Sequence, residues 1–354
     1  MTQFTISVLA TVDPVVRSAM TVNLSFDDPR VVTITHDLLD GAVRRMVADS
    51  TGIIELAVSE LEHACLSCAV REDVIPSIEL LRADGRWDHV IVALPVTAEP
   101  APLIRYLDGA LGRHGTLAGC SYGATVTAVD ADSLPLDAFS DMPLADRDLE
   151  LNEEDTRVMS AALAPMLATA DVIVLATDSE ASDTALAIAD HLAGVGARII
   201  ECGLSALTAV DLIGTPCTPF EALQRIDPLA TGDRGAHDRA GVWTVTLESE
   251  LPFHPGRLRR NIHRLADHCV RSRGQFWVPS RPDSACLWDG AGRQLSVGDQ
   301  GAWRAQGPHT RIVVTGIGNE RPGIKSAFAD SLVLPGEVDA ASDPMDDWFS
   351  PEDL

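Results

Sequence analysis

The chain has 354 residues, 46% of them hydrophobic, enough for a large buried core and for two domains, or one large domain with an appendage. With 52 acidic residues against 27 basic ones the formal net charge is -25, so the mean field repels nucleic-acid backbones and anionic membranes alike. That leaves contact with a basic protein, or with RNA through one local arginine-rich face. Seven cysteines, at 65, 68, 120, 202, 217, 269 and 286, are odd in number and scattered, which fits a reducing cytoplasm better than a disulfide framework. The N-terminus lacks a basic region followed by a long apolar core, and no run reaches the roughly 18 apolar residues of a membrane span. A soluble, uncleaved, cytoplasmic protein is expected.

In chain order, β-rich runs at Phe4–Thr11, Val31–Thr35, Ile53–Val58, His89–Leu94, Ala124–Asp130, Val172–Ala176 and Arg198–Cys202 read as strands. Helical patterns fall between them at Asp37–Asp49, Arg71–Ala83, Ala101–Leu111, Thr156–Ala168 and Asp183–Leu192. Such alternation predicts right-handed βαβ units and a mainly parallel sheet covered on both faces. From Asp130 to Asp155 the periodicity fades, and ten acidic residues accompany one arginine, Arg147. This reads as an exposed acidic connection, either solvated or a docking surface for a basic protein. Pro, Gly and Asp between Asp227 and Arg239 mark a domain boundary. Beyond it, Val242–Leu247 reads as a strand and Pro255–Ser272 as a long basic helix. Gln275–Pro279, Ala285–Trp288, Gln294–Val297 and Arg311–Thr315 read as further strands, which together suggest a small α+β domain. The expected division is residues 1–230, residues 240–335, and an acidic tail of residues 336–354.

The first strand leads into Ala10-Thr11-Val12-Asp13-Pro14-Val15-Val16-Arg17-Ser18-Ala19. An ordinary P-loop nucleotidase carries G-x-x-x-x-G-K-[ST] there, its amides cradling the phosphates and its lysine neutralising them. The single lysine of this chain is Lys325 and its first glycine is Gly41. A phosphate-cradling loop is therefore not expected.

The run Ala64-Cys65-Leu66-Ser67-Cys68-Ala69-Val70-Arg71-Glu72-Asp73 resembles the cysteine motif of the CobW-type zinc metallochaperone GTPases, where C-x-C-C or C-x-x-C enters a helix through Arg-x-Asp. Leu251-Pro252-Phe253-His254-Pro255-Gly256-Arg257-Leu258, Val270–Trp277 and the Trp303 region are similar to that family's C-terminal domain. Asp330-Ser331-Leu332 and Asp343–Trp348 resemble its ending. The resemblance implies a P-loop-GTPase-like, mainly parallel α/β sheet with a degenerate phosphate loop, plus a small α+β CobW C-terminal domain. Departures fall on the nucleotide motifs. The family's guanine-reading N-K-x-D is replaced by Leu175-Ala176-Thr177-Asp178-Ser179, and its acidic E-[TS]-[TS]-G by Ala93-Leu94-Pro95-Val96, with Glu99-Pro100 surviving downstream. GTP is not expected as a cofactor. A nucleotide held as an allosteric ligand in an altered pocket is the remaining alternative. A degenerate branch of the superfamily, similar to the mycobacterial factor that recruits a hibernation protein to ribosomes when zinc is scarce, resembles this chain in C-L-S-C-A-x-R-E-D. That resemblance implies a ribosome-associated adaptor binding the small subunit and a hibernation factor. The alternative is a zinc chaperone or sensor acting on an apo client.

Cys65 and Cys68 are the candidate metal site. Two thiolates at C-x-x-C can hold one zinc ion, but a closed site takes four ligands, and Ser67 stands where a third cysteine would be. His63, Glu60 and Glu62 are near enough in sequence to supplement the pair, which suggests weak, exchangeable zinc. A vestigial motif whose thiols pack the following helix, or a redox dithiol, are the other readings. Arg257, Arg259, Arg260, His263, Arg264, Arg271 and Arg273 form the dense positive stretch. Leu258, Ile262, Leu265 and Cys269 give it an apolar seam, leaving the arginines for a solvated, salt-bridged or phosphate-contacting face. Arg257, Arg259, Arg260 and Arg264 are the candidate RNA or partner contacts. Gly119-Cys120-Ser121-Tyr122-Gly123 matches the G-x-S-x-G elbow, but a loop precedes it and a strand follows, the reverse of what the elbow needs. His268, Cys269, Cys202 and Cys217 lack partners at metal spacing and read as core or satisfied polar residues.

Overall fold

Residues 4–39, 41–62, 66–203, 207–213, 217–227, 237–266, 270–303, 307–334 and 337 are described by the computed structural model. The chain divides into two units, Met1–Asp137 with Pro143–Ile226, and Ala138–Met142 with Asp227–Leu354.

The first unit begins with β1 (Thr5–Ala10), α1 (Pro14–Asp27) and three successive strands, β2 (Val31–Leu39), β3 (Ala42–Asp49) and β4 (Gly52–Glu60). A short helix α2 (Leu66–Ala69) then runs through a π-helical turn (Val70–Val74) into α3 (Ile75–Asp84). There follow β5 (His89–Ala93), α4 (Ala101–Ala110), β6 (Ser121–Asp130), α5 (Leu134–Asp137), a 3₁₀ turn (Leu144–Arg147) and α6 (Met159–Thr169). The unit ends with β7 (Val172–Ala176), α7 (Asp183–Leu192), β8 (Arg198–Cys202), α8 (Ala209–Ile213) and α9 (Pro219–Gln224). The strands make one eight-stranded sheet in the order β4-β3-β2-β5-β1-β6-β7-β8, parallel from β2 to β8 with β3 and β4 added antiparallel. β1, β5 and β7 are buried at every position, as strands covered on both faces must be. Val16, Met20 and Leu24, spaced by four, turn one stripe of α1 into the core with Leu9, Ile91 and Val126.

The second unit contains β9 (Val242–Ser249), α10 (Pro255–Ala266), β10 (Val270–Phe276), β11 (Ser284–Gly292), β12 (Gln294–Ala302), β13 (Thr310–Ile317) and α11 (Arg321–Ser331). Its five strands form a separate antiparallel sheet, β12-β11-β10-β13-β9. The core is aromatic: Phe253 lies 5.6 Å from Phe276 and 5.4 Å from Phe328, and Phe276 meets Trp288 edge-on at 6.0 Å. Gly274 is required where β10 passes β13, since a Cβ there would come within 2.0 Å of the Arg311 carbonyl oxygen. The mixed α/β class with a large, mainly parallel sheet and a smaller antiparallel domain is therefore as expected.

Several elements differ from the sequence expectation. Asp37–Asp49 is not a helix: it ends β2, turns at Gly41 (φ +68°) and forms β3. Val43 and Val47, four apart, satisfy a helical and a strand period equally, and Arg45 between them hides the alternation because it faces inward. α1 and α11 have no counterpart in the expectation. The basic helix does not extend to Ser272: Arg271 and Arg273 lie on β10, where burial holds the Arg273 guanidinium down at about 10. The stretch from Asp130 to Asp155 is not a bare acidic loop either: it carries α5 and the 3₁₀ turn, buries Leu134, Phe139 and Leu144, and pairs Asp137 with Arg147 at 2.9 Å. Among the described residues, no helix is long and apolar enough to cross a membrane.

Candidate functional site

Two corners, one after β1 and one after β4, hold the motifs singled out above. The first joins β1 to α1 through three residues, Thr11, Val12 and Asp13. Asp13 caps the helix: Oδ1 accepts from the amides of Val15 at 2.6 Å and Val16 at 3.0 Å, and its carbonyl accepts from Arg17 N at 3.0 Å. Pro14, the first helical residue, has no N–H to offer. All the amides that a helix N-terminus presents to an anion are thus engaged by the chain itself. Arg17 is equally occupied, donating to the carbonyls of His36 and Leu94 at 3.2 Å and pairing with Asp37 at 2.6 Å. Beside this corner lies a cavity of about 270 Å³ bordered by Asp13, Asp130, Asp137 and Arg147. Asp130 caps the amides of Asp132 and Ser133. Three carboxylates against one guanidinium, itself paired with Asp137, disfavour a polyphosphate here.

The segment after β5 is likewise turned inward. Thr97, fully buried at φ +68°, donates from Oγ1 to the Leu149 carbonyl, and its own carbonyl accepts from Arg157. Glu99 lies 3.6 Å from Arg157, which also grips Asp155 with two bonds of 2.8 and 2.7 Å. After β7, Thr177 Oγ1 accepts from Ser179 N at 3.2 Å, and Asp178 is exposed.

The second corner carries the cysteine motif. His63 and Cys65 lie outside the described residues, so the geometry of the Cys65–Cys68 pair is not defined. Cys68 is buried on α2, with the Arg71 guanidinium 3.9 Å from its sulfur. Glu62 is held by Arg71 at 2.9 Å, and Arg71 also pairs with Glu72 at 2.6 Å. A shallow cavity of about 390 Å³ opens beside Leu66, bounded by Glu99, Glu154, Asp155 and Arg157. Among the described residues, no group of three or more His, Cys, Asp or Glu could hold a metal ion.

The π-helical turn fixes this corner through Asp73. Its carboxylate accepts from Ser59 Oγ at 3.0 Å, lies 2.9 Å from His36 Nε2, and is paired with Arg45, which reaches on to Glu55 at 2.5 Å. Burial pushes the Asp73 carboxyl up, but the hydrogen bonds and charges of His36 and Arg45 outweigh it and hold the group at about 2. One aspartate thus ties the cysteine helix to β2, β3 and β4. Asp73 stands within the cysteine motif, but its partners lie 37, 28 and 14 residues away and carry no local signal. The cap at Asp13 left a local signal that could have been used, an Asp-Pro pair opening a helix.

In the second unit, the candidate contact arginines Arg257 and Arg264 are engaged internally. Arg257 donates to the Leu332 carbonyl and pairs with Glu337, and Arg264 pairs with Asp330 at 3.0 Å. Arg259 and Arg260 are exposed on α10. Cys217 donates to Asp171 at 2.6 Å; burial and that carboxylate push its thiol up to about 12, as befits a satisfied structural cysteine. Ser121 opens β6 and bonds Thr5 at 3.0 Å, so the G-x-S-x-G match makes no elbow. His268 and Cys269 lie outside the described residues.

Comparison with known proteins adds three findings. Residues 26–194 match the CobW/HypB/UreG nucleotide-binding domain, and residues 242–332 match the cobalamin synthesis protein CobW C-terminal domain. The first match begins beyond the β1–α1 corner. The chain is 30% identical over 295 residues to the zinc chaperone Rv0106 of Mycobacterium tuberculosis, covering 77% of this chain and 68% of that protein. It is 26% identical to the zinc chaperone CobW of Sinorhizobium, covering 73% and 76%, and 23% identical to zinc-regulated GTPase metalloprotein activator 1 of Dictyostelium discoideum, covering 70% and 55%. The Zn(II)-bound YjiA GTPase from E. coli aligns over 94% of this chain and 99% of its own, with 15% identity and a TM-score of 0.37.

Proposed function

Because the chain belongs to the CobW family, we propose that it handles zinc as cargo, through Cys65 and Cys68, without a GTP cycle run from the β1–α1 corner. The observation that supports this reading is Asp13. Its carboxylate takes the two helix amides that a phosphate would need, in a connection of three residues with no glycine and no lysine. The relatives named as zinc chaperones support the zinc half of the reading. Two thiolates, with Ser67 in place of a third, suit an ion that must be released again.

A second reading, an adaptor that recruits a hibernation factor to the small ribosomal subunit under zinc limitation, is favoured by the exposed Arg259 and Arg260 and by a corner unsuited to hydrolysis. One set of measurements separates the two. Zinc titrated against a chromophoric chelator should be bound reversibly by the full chain and lost from Cys65→Ser/Cys68→Ser, while GTP with magnesium should give neither a thermal shift nor phosphate release. Turnover of GTP would sink the proposal, as would zinc uptake unaffected by the double substitution. Salt-sensitive co-sedimentation with ribosomes, abolished by Arg259→Glu/Arg260→Glu, would move the conclusion to the adaptor.

A further inference from the structure

The two edges of the eight-stranded sheet are built differently. At one edge β8 has five residues, Arg198 and Glu201 are exposed, and the Arg198 guanidinium donates to the Asp211 carbonyl at 2.6 Å. Short length and charge are the usual means of keeping an edge from pairing with another chain. At the other edge β4 has nine residues, Gly52-Ile53-Ile54-Glu55-Leu56-Ala57-Val58-Ser59-Glu60, with neither lysine nor proline, and its ladder partner is β3 alone. Its outer row of amides and carbonyls faces no strand of the sheet.

The side chains of β4 are as unusual as its length. Ile53 and Leu56 are each 67% exposed, Val58 62% and Ile54 39%. The register with β3 explains why all four lie together. Val58 is opposite Arg44, Leu56 opposite Met46 and Ile53 opposite Ala48, and the ladder skips Ile54, a bulge that keeps both isoleucines on one face. The other face carries Glu55, Ala57 and Ser59, opposite Val47, Arg45 and Val43, and is the face on which Arg45 and Ser59 meet Asp73. Four aliphatic side chains side by side expose a few hundred Å², the scale at which a patch on a soluble protein marks an interaction site.

We propose that β4 pairs antiparallel with β4 of a second copy of this chain, about a two-fold axis at Leu56. In that register Leu56 faces Leu56 of the other copy and Ile54 faces Val58. Glu55 then falls opposite Ala57, and the bulge sets Ile53 beside Ile54 against Val58 and brings Gly52 opposite Ser59. Shifting the axis to Glu55 sets Glu55 against Glu55, and shifting it to Ala57 sets Ile54 against Glu60. The Leu56 register alone among these three pairs apolar with apolar and keeps the acids apart. Glu55 is further neutralised by Arg45. The edge is thus complementary to itself in both charge and pattern. A patch of this size on each copy buries less than the roughly 1,200–2,000 Å² of a standard stable interface, so the dimer is reversible. The net charge of -25 on each copy opposes it and is screened by salt, so association strengthens as ionic strength rises.

Sedimentation velocity of the full chain over a dilution series, at low and high salt, tests this. A monomer–dimer equilibrium shifted toward dimer by salt is expected. Leu56→Glu, which sets two carboxylates against each other at the axis, should weaken it by more than about tenfold while leaving the melting temperature of this exposed position nearly unchanged. Leu56→Cys should form a disulfide-linked dimer on mild oxidation, and Glu60→Cys should form none above the wild-type background. A monomer at every concentration and salt overturns the proposal and leaves the edge to a different chain. A dimer indifferent to Leu56→Glu overturns it as well.

Discussion

Asp13 and Asp73 are both carboxylates turned into the protein near an end of the same sheet, yet they act in opposite senses. Asp13 stands at the helix N-terminus, and by accepting from Val15 and Val16 it occupies amides that an anion would otherwise use. Asp73 draws His36, Arg45 and Ser59 onto the turn that follows the cysteine motif, and so holds that helix in place. The energetic scales differ too. A capping carboxylate contributes about 1 kcal/mol, whereas breaking a buried ionic network typically costs about 3–5 kcal/mol, because the remaining charge has neither water nor partner. One corner has been closed with a small local interaction, while the other is maintained by a large non-local one.

The largest expected effect follows from removing Asp73. Asp73→Asn keeps the shape but removes the charge facing Arg45 and His36, leaving Arg45 with Glu55 alone and His36, 1% exposed, without its carboxylate. A loss of about 3–5 kcal/mol is expected in urea unfolding. Arg45→Met in the same chain should return part of it, since an apolar residue at that place carries no charge to desolvate. An unchanged midpoint for Asp73→Asn would break the comparison, because the network would then hold nothing.

Acid titration sharpens the same point with a smaller effect. The Asp73 carboxyl is held at about 2 when folded, against about 3.9 in an unfolded chain. Its contribution is therefore fully present above about pH 4 and is lost as pH falls from there through about 2. The stability difference between wild type and Asp73→Asn should stay constant from pH 7 to 5 and shrink between pH 4 and 2. A difference that persists to pH 2 would show that the carboxylate's charge is not what matters.

The sequence made the parallel half of the fold readable, and physics explains where it did not. β7 is an uninterrupted apolar run, and β1 and β5 are nearly so, with Thr5, Ser7 and His89 as their polar members, because both faces of these strands are covered. β3 was disguised by an inward arginine whose counter-charge lies 28 residues on. α1 was blurred because it carries apolar residues on its solvent face as well, Val15, Val22 and Phe26 being more than half exposed. Much the same holds at the site. The missing glycine and lysine of the first corner, and the spacing of Cys65 and Cys68, are local and legible. What fastens the cysteine helix is a set of contacts from β2, β3 and β4, and no local pattern announces it.

The smallest effect expected is at Asp13, and it decides how the first corner was closed. Asp13→Ala frees the amides of Val15 and Val16 and should cost about 1 kcal/mol, a melting shift of a few degrees at most. The bare amides would then resemble an anion site, but a three-residue connection cannot wrap a triphosphate, Arg17 stays committed to Asp37, and Asp130 and Asp137 still border the cavity. GTP should therefore give no more stabilisation to Asp13→Ala than to wild type. Should a GTP-dependent shift appear in the variant alone, a single carboxylate would be all that separates this corner from a nucleotide site, and loop length and lysine would matter less than the cap.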